Sequence, residues 1–230
     1  MAKKVDKTED KILAVESALG KGEQFLEKNK NLLFYILLGI IVVIGGVFAY
    51  NKFIRAPKER EAQSVMFYAE QYFEKDSLEL AINGDGTNPG FLQIVDDYGS
   101  TKQGNLARYY LGICYLKTGE YQSAIDYLED FDSDDHIVAP MAIGAIGDAY
   151  MELGETEKAI EYYYKAFEKD NNDFTAPMFL LKAGWAYESL NQWDKAIEVY
   201  TKIQKEHFKS YEARDIEKYI AYAKGMQESK

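Results

Sequence analysis

Residues that carry chemistry are scarce in this chain. One cysteine, Cys114, leaves no internal disulfide to form. Lying on an apolar helical stretch outside any Cys/His cluster, it reads as a buried, inert thiol rather than a nucleophile or metal ligand. The two histidines, His136 and His207, sit in acidic and lysine-rich loop-like surroundings and provide too little for a zinc site or a histidine-based triad. Positive charge is in deficit: 38 acidic residues against 27 basic ones give a formal net charge of −11, which disfavours attraction to nucleic acid. There is no phosphate-cradling glycine loop, no nucleophile elbow and no paired-carboxylate pocket, so neither enzymatic activity nor a cofactor is expected. The acidic run EDFDSDD, Glu129 to Asp135, lacks the glycine and the twelve-residue spacing of an EF-hand and reads as a solvated loop. What is present, 47% hydrophobic and 28% charged residues in 230, is enough for a folded chain of one or two domains.

One long apolar run stands out. From Leu32 to Tyr50 the sequence LLFYILLGIIVVIGGVFAY carries no charge. As a helix rising ~1.5 Å per residue it would match a bilayer core of roughly 30 Å. Lys28 and Lys30 before it, and Lys52 and Arg55 after it, stand where interfacial anchors belong. The run exceeds a signal-peptide h-region, ends without an Ala-x-Ala-like cleavage site and is not followed closely by a cysteine for lipid attachment, so a transmembrane helix over 32–50 is expected. Gly45 and Ala49 form a small-xxx-small pair, a pattern common by chance. Lysines and arginines are nearly balanced across the run, so their count does not settle orientation. Residues 1–31 show a weak amphipathic pattern through Ile12, Val15, Leu19 and Leu26, interrupted by Gly20 and Gly22, and read as a short solvated helix or a docking helix. Residues 51–58 read as a juxtamembrane linker.

The rest of the chain repeats itself. LGICYLKTGEYQSAIDYL, Leu111 to Leu128, returns as AIGDAYMELGETEKAIEYYYKA at 145–166 and as KAGWAYESLNQWDKAIEVYTKI at 182–203. Gly112, Gly147 and Gly184 are each followed three residues later by Tyr115, Tyr150 and Tyr187, and nine after that by Ala124, Ala159 and Ala196. A glycine inside a helix costs about 1 kcal/mol against alanine, so a recurring one needs a local reason. The first glycine and the later alanine would allow two antiparallel helices to approach closely, with the tyrosine filling the space around that contact. Gly119, Gly154 and Asn191 then fall where the chain must reverse through a left-handed residue.

These spacings resemble the tetratricopeptide repeat (TPR), whose signature has a Leu-Gly pair, a tyrosine, an alanine and a final aromatic. The copies depart from it where Arg108, Ile143 and Leu180 replace the usual tryptophan, where His136 and Asn171 replace the helix-ending proline, and where Ala183 replaces the leucine. The resemblance implies an all-α fold, a TPR-type α-solenoid, with copies at about 105–139, 140–176 and 177–210, and Pro140 and Pro177 opening first helices. Residues 59–82 and 91–98, separated by NGDGTNPG, read as a degenerate first helix pair over 59–104. Residues 211–230, with Tyr211, Ile216, Tyr219, Ile220 and Ala223 mostly on one face, read as the capping helix and tail.

In this repeat the first helix of each pair lines an inner concave wall. The resemblance places Tyr109, Tyr110, Ile113 and Leu116 of the first copy, Met141, Asp148 and Met151 of the second, and Met178, Lys182 and Trp185 of the third on that wall. Broad rings and flexible thioethers suit an extended peptide or a partner helix, although any of these side chains would equally serve packing between repeats. Tyr109 and Ile113 stand where a carboxylate clamp for acidic C-terminal tails would need polar donors, which argues against a receptor of that kind.

An apolar anchor followed by a short repeat array also resembles the YfgM-like ancillary subunits of the bacterial Sec translocon. That resemblance implies a single-pass protein of the inner membrane with its N-terminus in the cytoplasm and its repeats in the periplasm. The implied partners are translocon subunits, a periplasmic chaperone and exported clients. Two other readings share the layout: a structural scaffold for envelope assembly or division, and a cytosol-facing receptor like those of organelle import.

Overall fold

The computed structural model describes the backbone of residues 6–229 and the side chains of 28–229. It divides into two compact units, Met1–Pro57 and Lys58–Lys230, described here in turn. In the first, helix α1 (Asp6–Tyr50) runs through Gly20 and Gly22 without a break and is followed by a π-helical turn, Asn51–Arg55. The face assigned to Ile12, Val15, Leu19 and Leu26 lies outside the described side chains. No apolar side chain from Leu32 to Ile54 is buried, and an 18-residue window here reaches a mean hydropathy of 2.8. The segment is long and apolar enough to cross a membrane.

Among the described residues the regular structure of the second unit is helical, apart from one isolated bridge, Gly84 to Pro89, and it includes a short 3-10 turn. Its helices are α2 (Ala56–Glu74, which begins in the first unit), α3 (Leu78–Asn83), α4 (Phe91–Tyr98), α5 (Lys102–Thr118), α6 (Tyr121–Glu129), α7 (Val138–Glu152), α8 (Thr156–Lys169), α9 (Ala176–Ser189), α10 (Trp193–Glu206) and α11 (Ile216–Glu228). They form successive hairpins, α5 with α6, α7 with α8 and α9 with α10, closed by α11. Each second helix is strongly amphipathic. In α8 the buried residues Ala159, Ile160, Tyr163, Ala166 and Phe167 fall at i, i+1, i+4, i+7 and i+8, the stripe by which a helix buries one side.

The three hairpin turns share one geometry. The N–H groups of Glu120, Glu155 and Gln192 donate to the carbonyls of Tyr115, Tyr150 and Tyr187, each at 2.9 Å. The preceding residues Gly119, Gly154 and Asn191 hold φ of +86°, +77° and +56°. This is the Schellman arrangement, which satisfies carbonyls that a helix end would otherwise orphan. A Cβ on Gly154 would meet nothing within 4 Å. Gly154→Ala is therefore expected to cost about 1 kcal/mol through left-handed backbone strain alone, read as a shift of the denaturant midpoint at constant slope.

The same turn occurs a fourth time. Ser77 N–H donates to the Tyr72 carbonyl at 2.9 Å and Asp76 holds φ +56°. Counting from it, Ala69 takes the place of the glycine and Ala81 that of the alanine, both fully buried. The stretch 59–82 is thus not one helix: it turns at 75–77, and α2 pairs with α3. Asp76 hid the turn because it is not glycine. Its carboxylate forms an ion pair with Lys117 of the next hairpin, a contact glycine would forgo. The expected loop follows, residues 83–90, interrupting the second helix between α3 and α4. Asp85 organises it, accepting from the N–H groups of Thr87 (2.8 Å) and Asn88 (2.6 Å) and from the Tyr72 hydroxyl (2.7 Å).

Gly112, Gly147 and Gly184 face the second helix of their own hairpin. A Cβ at Gly147 would lie 2.7 Å from the Tyr163 ring and 3.2 Å from the Ala159 carbonyl; one at Gly184 would collide with the Tyr200 ring, and one at Gly112 with Leu128. The close approach at glycine and alanine is as expected, but the filler differs. Leu128, Tyr163 and Tyr200, sixteen residues on, occupy the space over the glycines, whereas Tyr115 and Tyr150 are half-buried beside it, packed on Tyr127 (5.6 Å) and Tyr162 (5.3 Å). A side chain rising from the second helix, leucine or tyrosine, reaches over the bare backbone; a side chain on the glycine's own helix points away from it.

Cys114 is fully buried against Met66, Ala69 and Phe91, and burial pushes its thiol up to about 12. It is expected to resist iodoacetamide in the native protein and to react after unfolding in urea, as mass spectrometry would show. At the other end α11 buries Ile216 and Ala223 and half-buries Tyr219 and Ile220. Tyr211 does not share that face: it precedes the helix and is 76% exposed. His207, expected in an open loop, is buried, its Nδ1 paired with Asp173 at 3.0 Å.

Candidate protein-binding groove

The first helices α5, α7 and α9 present equivalent turns to one concavity, because each is held by the same glycine contact to its second helix. A cavity of about 500 Å³ lies along them, with Leu116, Met151 and Trp185 as its apolar wall and Lys117, Asp148, Glu152 and Lys182 as its polar one. A second of about 280 Å³ adjoins it between α9 and the C-terminal cap, lined by Met178, Leu181, Trp185, Tyr211 and Tyr219, with Glu212 and Asp215 on the rim. Lys182 and Trp185 line both. Trp185 is 43% exposed, far more than a packing role requires, and its ring lies 6.1 Å from that of Tyr219.

The floor between the second and third copies is pinned by charge. Asp148 receives both Lys182 Nζ, at 2.6 and 2.7 Å to its two oxygens, and the Tyr163 hydroxyl, at 2.8 Å. Burial, then the Asp148 charge, pushes the Tyr163 phenol well above its ordinary value, so it stays a donor at physiological pH. Lys182 also lies within 5.9 Å of the Tyr163 ring and 5.8 Å of the Phe179 ring. With aspartate, lysine and phenol mutually satisfied, this floor offers a ligand little spare charge.

The residues assigned to the wall divide accordingly. Leu116, Asp148, Met151, Met178, Lys182 and Trp185 line the two cavities. Tyr110 does not: its ring stacks on Phe91 at 5.1 Å and abuts Phe73 at 5.0 Å, sealing α5 against the preceding hairpin. Tyr109 packs on Phe131 at 5.4 Å, while Ile113 and Met141 are half-buried beside the hydrophobic clusters. Ile113 holds the same place in its helix as Asp148 and Trp185, and Met178 lies as near its helix start as Met141, so position along the helix does not separate the two groups; what each side chain packs against does. Sequence reasoning missed Lys117, Tyr121, Glu152, Tyr163 and Ala186 of the first cavity and Leu181, Tyr211, Glu212, Asp215 and Tyr219 of the second. Tyr163 carried a signal, as the aromatic sixteen residues after Gly147; Tyr211 and Tyr219 reach the cavity only because the cap folds against α9.

Comparison with known proteins agrees with this architecture. Residues 142–173 match one tetratricopeptide repeat model, and residues 106–134 and 179–208 match another. No curated protein matches the chain. Among solved structures, a Podosopora anserina putative kinesin light chain with nearly identical TPR-like repeats superposes with a TM-score of 0.57 at 15% identity, covering 75% of this chain and 89% of that one. A variant of it gives 0.56 with the same identity and coverage. MamA is similar at 0.49 and 20% identity, over 70% of this chain and 95% of its own. The chain is an all-α, TPR-like solenoid, and its repeats make it a protein–protein interaction module.

Proposed function

We propose that this is a membrane-anchored binding module whose concave groove, centred on Trp185, takes extended segments of other polypeptides. The carrying observation is the exposed indole shared by two adjoining cavities whose other walls are Leu116, Met151, Met178 and Tyr219. Such a surface adapts to varied side chains, as a module meeting many sequences requires. The apolar run over 32–50 supports a single span. Tethering would raise the groove's local concentration beside emerging chains, so weak individual contacts would suffice. With an anchor-first layout resembling the translocon's ancillary subunits, the reading is a chaperone-like subunit whose N-terminus is cytoplasmic and whose repeats face the periplasm, handling exported proteins.

Photocrosslinking from an unnatural amino acid at Trp185, and separately at Met151, tests this in cells. Many transient nascent products are expected at both positions. One stoichiometric partner would instead establish a scaffold, and no product at either would remove the groove from consideration. Protease shaving of intact against permeabilised cells checks the orientation: the repeats should be cut only once the outer barrier is opened.

A further inference from the structure

The shared turn geometry extends the groove's register to a hairpin that the sequence repeat does not reveal, and places charge there. One residue after the small residue at the helix contact stand Ile113, Asp148 and Trp185; five after it stand Lys117 and Glu152; all but Ile113 line the cavities. In the α2–α3 hairpin, counted from Ala69, those two places belong to Glu70 and Glu74. Leu116 and Met151 of the cavity wall correspond there to Phe73, whose ring lies 5.7 Å from Lys117 Nζ. By this register the equivalent face of α2 carries carboxylates; neither cavity extends to it, and Glu70 and Glu74 lie beside Tyr110, whose phenol burial and then their charge push up.

Both lysines on this face are already engaged, Lys117 by Asp76 and Lys182 by Asp148. Among the described residues Glu70, Glu74 and Glu152 have no cationic partner, nor do Glu212 and Asp215 on the rim of the second cavity. Glu70 is half-buried, and its carboxyl is pushed up first by that burial and then by the charge of Glu74, an unfavourable pairing that an arriving cation would relieve. The apolar centre therefore lies between two acidic ends, the second sharing its turn with Arg214, whose guanidinium rests 5.2 Å over the Tyr211 ring without pairing to Glu212 or Asp215, and the chain's overall excess of acid lies behind them.

Resting on the groove reading above, we infer that the occupant is an extended polypeptide segment carrying lysine or arginine on both sides of an aliphatic or aromatic centre. The centre seats against Met178, Trp185 and Tyr219, and the flanking cations meet Glu70 and Glu74 at one end and Glu212 and Asp215 at the other. Acidic tails are rejected by the same carboxylates, a specificity that lies in repulsion as much as in attraction.

The test uses the full chain in an uncharged detergent and three labelled heptapeptides read by fluorescence anisotropy: Lys-Lys-Leu-Phe-Leu-Lys-Lys, its serine-flanked counterpart and its glutamate-flanked counterpart. The basic peptide is expected to bind roughly tenfold or more tighter than the acidic one, with an affinity that falls as salt rises. Glu70→Gln with Glu74→Gln should weaken the basic peptide by about three- to tenfold and leave the serine peptide unchanged. Asp194→Asn with Glu198→Gln, exposed on the second helix α10, should change neither. If the acidic peptide binds as well as the basic one, or if the α10 pair weakens binding as much as the α2 pair, the cationic specificity is overturned while the groove stands. If none of the three binds, or if Trp185→Ala leaves the binding of all three unaltered, the groove reading falls as well.

Discussion

Two lysines in the middle of the apolar run, Ile41→Lys with Val42→Lys, are expected to move the protein from the membrane pellet into the carbonate-soluble fraction. The wild-type chain should remain in the pellet. The run from Leu32 to Tyr50 is uncharged, and none of its side chains is buried. A helix meant for a soluble core would be covered by its own protein; this one leaves Leu32, Tyr35, Val42 and Phe48 each at least 60% exposed. A charged residue at the bilayer centre costs about 2.5–3.5 kcal/mol on insertion scales, so two remove most of the advantage of insertion. Positions 41 and 42 lie farthest from either end of the run, where a lysine stem is least able to reach the headgroups. Ile41→Leu with Val42→Leu, which preserves the apolar character, should stay with the membrane. A wild-type protein that washes off vesicles in carbonate would remove the anchor, and with it every argument from tethering.

Gly184→Val should unfold the last hairpin or come close to doing so, with a loss of stability on the order of 3 kcal/mol. Its Cβ would fall on the ring of Tyr200, which is fully buried and donates its hydroxyl to Glu188 at 2.9 Å. The ring cannot step aside, because Tyr219 of the cap packs 5.6 Å from it, and moving that ring disturbs the second cavity as well. Shrinking the opposing side chain should recover part of the loss. Gly184→Ala with Tyr200→Leu is expected to be more stable than the sum of the two single changes predicts, and denaturant unfolding of the four-member cycle would measure that coupling. Additive losses would mean that glycine and tyrosine do not meet as described. Because the array is stacked, the damage should be greatest in the α9–α10 hairpin and cap and smallest around Cys114, which hydrogen exchange can resolve.

The periodicity of Gly112, Gly147 and Gly184, with their tyrosines and alanines, was enough to read helical hairpins at about the observed positions, since a repeated local constraint leaves a repeated local signature. The first hairpin escaped that reading in part. Ala69 and Asp76 satisfy the same geometry with different residues, and the loop 83–90 displaces its second helix from the expected spacing. The groove was legible in fewer than half of its lining residues. Leu116, Asp148, Met151, Met178, Lys182 and Trp185 face the cavities, but nothing along the chain separates Tyr110, turned onto Phe91, from Trp185, turned toward solvent. A helical face states only which residues neighbour one another; whether a face meets another hairpin or open space depends on what is stacked beside it.

The amino-acid order alone thus determined the apolar run, three of the hairpins, their left-handed turns and the excess of acid, because each follows from composition, from a short stretch of residues or from a local pattern that recurs. Only the tertiary arrangement decided that the Asp148 charge is spent on Lys182 and Tyr163, that His207 is buried, and that Tyr211 and Tyr219 complete the cavity beside Trp185. The Asp148–Tyr163 contact joins residues 15 positions apart in sequence and the Asp148–Lys182, Asp173–His207 and Trp185–Tyr219 contacts residues 34 apart, and the interaction of distant side chains is set by the stacking of whole helices, not by the spacing within any one of them.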